Sequence, residues 1–193
     1  MAARGLEEEA TAGLGWWASV GLLIGLAAWT WSFARIPLSP AVMDSFLHLP
    51  NLVFHEAGHV LFSPFGRFLT VLGGSLMQLL IPVVLAVSFL RQQQPFSAAV
   101  CAWWAGQNLV DLAPYIADAR ALRLVLLGGR TGAEVEGHDW EYILTQLGAM
   151  HLDRAIGLWA HFGGILLMAI SIGAGAWTLY QTKQASPALP FSS

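Results

Sequence analysis

Three stretches of this chain run for a membrane-spanning length without Asp, Glu, Lys or Arg, and they leave few folds open. Residues 10–34 end at Arg35, residues 68–90 lie between Arg67 and Arg91, and residues 155–182 lie between Arg154 and Lys183. At about 1.5 Å of rise per helical residue, some 20 apolar residues cross a bilayer core. Backbone polar groups in lipid must be satisfied within their own segment, so such stretches are helices. The sequence therefore predicts an all-α, polytopic membrane protein. Composition agrees, with 56 % of residues hydrophobic and only 11 % charged, and a mean hydropathy of +0.59.

Two further stretches are apolar but interrupted. Residues 36–62 contain Asp44, His48 and Pro50, and residues 92–118 contain Asn108, Asp111, Pro114 and Asp118. Polar groups at membrane depth are tolerated where neighbouring helices bury them or where they line a cavity. The two interrupted stretches are thus expected to face each other around a site, giving about five membrane helices. Gly73-Gly74 and Pro82 in the third stretch permit close helix contact and a kink. Trp16, Trp17, Trp29 and Trp31 are placed as aromatic belts at the two ends of the first.

The 193 residues suit a single integral membrane domain, 1–193. Within it, residues 1–14 read as a polar N-terminal segment. Residues 119–153 read as a cytoplasmic loop ending in a short amphipathic helix over Trp140 to Leu152, and residues 184–193 as a disordered tail. Glu7-Glu8-Glu9 and the length of the apolar run after them argue against a cleavable signal peptide. If all five stretches cross, Arg4, Arg67, Arg120, Arg123, Arg130 and Arg154 share one side, against Arg35, Arg91 and Lys183 on the other. The positive-inside rule then places the N-terminus in the cytoplasm. A net charge of −3 gives no sign of nucleic-acid binding, and the lone Cys101 allows neither an internal disulfide nor a CxxC metal site.

The chemistry is carried by His55-Glu56-Ala57-Gly58-His59, an HExxH motif between Leu52-Val53-Phe54 and Val60-Leu61-Phe62. Residues four apart share a helix face, so His55 and His59 can grip one metal ion with Glu56 beside it to handle a proton. Ionisable groups among apolar neighbours at membrane depth mark function. A catalytic zinc site takes three protein ligands and keeps a position open. The candidates downstream of the motif are Asp111, Asp118, Glu134, Glu136, His138, Asp139 and His151. By position His48 lines a cavity or interface, and His151 and His161 sit at an interface.

In these features the chain resembles the site-2 protease family of intramembrane zinc metalloproteases. That family pairs HExxH on one membrane helix with an aspartate on a later one, after an Asn and Pro element and before an Arg. The matching stretch here runs from Asn108 through Asp111 and Pro114 to Asp118 and Arg120, with Ala119 where glycine is usual. The resemblance covers roughly residues 50 to 120 and implies Asp118 as third ligand to Zn²⁺. Many members of that family also carry a PDZ domain, for which this chain is expected to have no room. Two rivals for the third ligand stay open. Asp111 lies two helical turns earlier and could instead support a ligand histidine, and the segment His138-Asp139-Trp140 returns on the same side of the membrane.

The expected reaction is hydrolysis of a peptide bond in a membrane-embedded or membrane-adjacent polypeptide, with Glu56 as general base. Asn108 and Gln78 are candidate oxyanion or substrate donors. The expected partners are the lipid bilayer and a membrane-protein substrate, with the active site towards the cytoplasm and the oligomeric state open. A zinc hydrolase of a lipid or small amide, or a non-catalytic metal-binding membrane protein, are the other classes the motif allows.

Overall fold

The structure, a computed structural model, describes residues 2–185, with side chains from residue 13 onward. All regular structure among these residues is helical: α1 (Ala2–Ala34), α2 (His48–Phe62), α3 (Arg67–Arg91), α4 (Pro95–Ala117), α5 (Asp139–Gln146) and α6 (Asp153–Ala185). Short 3-10 turns at Pro40–Val42, Ser63–Phe65 and Met150–Leu152 join them. The expected tail lies outside the described residues from 186 onward, and residues 184 and 185 close α6.

Three helical segments are long and apolar enough to cross a membrane: Gly13–Ala34, Arg67–Arg91 and Met150–Ala185. They contain nearly all of the three uncharged stretches. The other two expected spans come out differently. Residues 36–47 do not join the HExxH helix, because Pro37 and Pro40 interrupt the chain and Leu38 turns at φ 57. Ser39 caps the 3-10 turn that follows, its hydroxyl accepting from the Ala41 amide. Pro50 then falls in the first turn of α2, where its missing N–H costs nothing. At about 1.5 Å per residue, α2 is about 22 Å long, short of a bilayer core of about 30 Å. The α4 helix has the length but carries Gln107, Asn108 and Asp111 at its centre.

The helices pack in the spatial order α1, α6, α4, α3, α2. Glycines set the closest approaches. A Cβ on Gly106 would lie 2.7 Å from the Gly164 carbonyl, and one on Gly157 would lie 2.8 Å from the Ala113 carbonyl, so α4 and α6 meet backbone to backbone. At the α2–α3 seam a Cβ on Gly58 would run into the Gly73 carbonyl, and one on Gly73 would lie 2.7 Å from Phe62 Cβ. Small residues are the expected glue where lipid removes any hydrophobic drive between helices. Leu26, Phe33, Val42, Trp103, Val110 and Met168 form a core cluster joining α1, α4 and α6.

Trp103 donates to Thr30 Oγ1 at 2.8 Å, which satisfies a buried indole N–H across helices. Trp29 packs on Trp103 and Trp16 donates to the Leu179 carbonyl, whereas Trp17 and Trp31 face outward. Half of the expected belt is therefore interhelical packing. Position in the row decides which polar groups are covered. α4 sits between α3 and α6, and its C-terminal half is buried almost all round. The outer faces are apolar instead, with Ile24, Val84, Leu166 and Trp177 exposed.

The loop after α4 turns at Gly128 and Gly129, whose φ values of 104 and 80 favour glycine. It is drawn together by a single bridge between Val125 and Thr131. The amide and hydroxyl of Thr131 bond the Glu134 carboxylate at 2.8 and 3.0 Å and hold it below its ordinary pKa. Asp118 accepts from the Arg123 and Leu124 amides at 3.1 and 2.9 Å and fixes the start of the loop. The amphipathic helix then begins one residue earlier than expected, at Asp139, and ends at Gln146 before Gly148 turns at φ 63.

Candidate metal centre

His55 and His59 lie one turn apart on α2, and both rings face α3. Gly74 makes this possible, since a Cβ there would lie 2.5 Å from His55 Nε2 and 2.6 Å from His59 Cε1. Each ring is held from behind through Nδ1. His55 Nδ1 is 3.1 Å from Gln78 Oε1, and His59 Nδ1 is 2.9 Å from the Thr70 carbonyl. Both partners are acceptors, so each Nδ1 carries the hydrogen, and a neutral ring then keeps its lone pair on Nε2.

Those two lone pairs converge on a third acceptor. Asp139 Oδ2 lies 2.8 Å from His55 Nε2 and 3.2 Å from His59 Nε2. Three electron-rich atoms so close require positive charge between them. Bonds of about 2.0–2.1 Å in a tetrahedral zinc site would place ligand atoms about 3.3 Å apart, near what is found. Among the described residues, His55, His59 and Asp139 are the group that could hold a metal ion, their ligand atoms all within 4.8 Å of one another.

Asp139 reaches this point from a separate docked element. It opens α5, where the helix dipole favours a carboxylate. His138 caps the same helix, its Nδ1 accepting from the Glu141 amide at 3.2 Å. The Asp139 amide donates to Tyr115 Oη at 2.9 Å, and Trp140 donates to Ser75 Oγ at 3.1 Å. The Arg67 guanidinium stacks 4.7 Å above the Tyr142 ring. α5 is thereby clamped to both α3 and α4.

Glu56 stands on the wall of a cavity of about 410 Å³ that His55, His59, Asp139 and Tyr115 also line. Its side chain is exposed there. Leu52, Leu112 and the loop residues Leu124 to Leu127 supply the apolar wall.

Several expected site residues take other places. Asp118, the third ligand implied by family resemblance, lies outside the metal group, because both carboxylate oxygens are engaged by loop amides. His138 is buried with Nε2 3.6 Å from Asp118 and serves α5 as a cap. Burial lowers its pKa more than the carboxylates of Asp118, Asp139 and Glu141 raise it. Asp111 touches neither His55 nor His59; it accepts from His48, Asn51 and Gln78. Asn108 is buried, bonds to the Trp104 carbonyl of its own helix and does not line the cavity. Gln78 lines the cavity, but its amide is spent bridging His55 and Asp111.

Comparison with family models, with curated proteins and with solved structures finds no match to this chain.

Proposed function

We propose that this chain is an intramembrane zinc metalloprotease of the site-2 protease type, with His55, His59 and Asp139 as the ligands. The observation that carries the reading is the convergence of three lone-pair atoms on one point, with Glu56 of the same HExxH on the adjoining cavity wall. Two nitrogens and one oxygen with an open side suit catalytic zinc. Bound zinc supplies Lewis acidity that brings deprotonation of water into the neutral range. Glu56 is the carboxylate on that wall that follows a ligand histidine on the same helix, and no hydrogen bond engages it, which suits it to take the proton and return it to the leaving amine. The apolar wall and the cavity volume of about 410 Å³ fit a few residues of locally unwound polypeptide.

The reading extends to topology. α4 and the stretch made of α2 with residues 36–47 before it are taken as crossing segments too, giving five with the N-terminus cytoplasmic. Leu49, Val53, Val60 and Leu61 are exposed along α2, as lipid contact would require. The Arg and Lys distribution then puts the metal centre towards the cytoplasm.

The test is zinc content and hydrolysis of a membrane-embedded polypeptide by detergent-purified protein. Glu56→Gln is expected to keep zinc and lose roughly 10²–10⁴-fold in rate. Asp139→Ala is expected to lose the metal. Proteolysis surviving in Glu56→Gln, or zinc surviving in Asp139→Ala, would sink the proposal.

A further inference from the structure

Behind the two histidines lies a row of buried polar side chains for which the hydrolytic chemistry has no direct use. At its centre is Asp111, 3 % exposed. It receives His48 Nδ1 at 3.0 and 3.1 Å, Asn51 Nδ2 at 3.3 Å and Gln78 Nε2 at 3.1 Å. A carboxylate only accepts, so the Gln78 atom that meets it is the amide nitrogen. Gln78 Oε1 is then turned to His55 Nδ1. The far end of the row enforces the same polarity. The Trp104 indole, a donor only, meets Asn51 Oδ1 at 2.9 Å, which leaves Asn51 Nδ2 for Gln107 Oε1 and Asp111.

We infer that Asp111, acting through Gln78, is a positioning residue that sets the tautomer of His55. The inference rests on the metal-centre reading above. With Gln78 Oε1 facing it, His55 carries its hydrogen on Nδ1 and offers the Nε2 lone pair to the metal. A Gln78 amide without its anchor can turn by half a revolution and present Nε2–H to the ring. That arrangement favours hydrogen on His55 Nε2, the very atom that must ligate. His59 needs no such relay, because the Thr70 carbonyl behind it belongs to the backbone and cannot turn over. The two ligands are thus oriented by different means, and only one depends on distant side chains. Outer partners of metal-bound histidines fix ring orientation and tautomer in this way.

The experiment measures zinc affinity of the full chain in detergent by competition with a chelator, with ¹⁵N-histidine NMR of the zinc-loaded protein. Asp111→Leu removes the acceptor at similar size and is expected to weaken affinity about 10–100-fold. Asp111→Asn can place its carbonyl oxygen where Oδ2 stood and is expected to stay within about threefold of wild type. Equal losses in the two variants would mean that charge matters and hydrogen-bond polarity does not, which overturns the inference. Unchanged affinity in Asp111→Leu overturns it too.

If Asp111→Leu does not fold, Gln78→Leu and Gln78→Glu serve instead. The first is expected to weaken affinity and the second to keep it. The NMR arm uses wild type alone: His55 should carry hydrogen on Nδ1, and ligation through Nδ1 would refute the relay. A wild type that takes up no zinc removes the metal centre itself, and the relay with it. A wild type that binds zinc with Asp111→Leu unaffected removes only the relay.

Discussion

The two halves of the candidate metal centre are built in different ways. His55 and His59 stand on one helix whose own geometry sets their spacing, and glycines at the α2–α3 seam leave room for their rings. Asp139 arrives after the loop that follows α4, on the short helix α5, and owes its position to contacts with other elements. The first half is set by local geometry, and the second by tertiary contacts. The histidine half should therefore fail through loss of space or, at His55, through loss of the polar row behind it. The aspartate half should fail whenever α5 comes away from α3 and α4.

The largest expected effect comes from filling that space. In Gly74→Ala the new Cβ would meet His55 Nε2 at 2.5 Å and His59 Cε1 at 2.6 Å, closer than real Cβ contacts come. The atoms in the way are the ends of side chains, so the rings can swing aside and the helices need not part. Zinc affinity is expected to fall by roughly 100-fold or more, as misplaced ligands cannot share one ion. The thermal midpoint without metal should stay close to wild type. Chelator competition and thermal unfolding check the two halves of this expectation. A large fall in midpoint with zinc binding intact would show that Gly74 serves the seam and not the site.

The same division explains what was legible in the sequence. Helix periodicity fixes the angle between residues four apart, so HExxH pointed to two candidate ligands and a candidate base before any fold was known. Charge-free length announced α1, α3 and α6. Gly73-Gly74 announced a close helix contact, which is found between α2 and α3. The third candidate ligand, Asp139, was not singled out, because no local rule links residue 139 to residue 55. Asp118 has the right order after Asn108 and Pro114, yet it sits at the start of a loop whose free amides claim its carboxylate. The segment His138-Asp139-Trp140 did stand among the rivals, through its histidine. Helix N-terminus chemistry offered a cue, since one residue of such a run caps the helix and the next projects from its first turn. The stretch 36–62 read as one span because hydrophobicity was weighed above Pro37 and Pro40, which divide it.

A smaller effect is expected from loosening α5 while leaving α2 and α3 as they are. Trp140→Ala removes the indole that donates to Ser75 Oγ at 3.1 Å, together with its packing on α3. Tyr115 and the Arg67–Tyr142 stack still hold the helix, so docking is weakened and not abolished. Zinc affinity is expected to fall about 10-fold, the equivalent of about 1.4 kcal/mol for moving Asp139 away from the bound geometry. Hydrogen exchange should quicken in residues 139–146 and stay unchanged in α2. Equal acceleration in both would show that the two halves of the centre open as one unit, and the comparison would break.

The smallest effect is expected at Asp118, and it separates the local role found for this residue from the ligand role implied by family resemblance. Its carboxylate accepts from the Arg123 and Leu124 amides at 3.1 and 2.9 Å. Asn at this position keeps one acceptor and loses the other, which costs about 1 kcal/mol of loop order, or about fivefold in exchange at those amides. Leu124 lines the cavity, so a looser loop should raise KM for a polypeptide substrate more than it lowers kcat. Zinc affinity of Asp118→Asn should stay within about twofold of wild type, because no metal-ligating atom moves. A metal ligand replaced by Asn would instead release most of the zinc. Metal content of this single variant, beside Asp139→Asn, therefore decides which aspartate completes the centre, and the loop amides report separately on what Asp118 does otherwise.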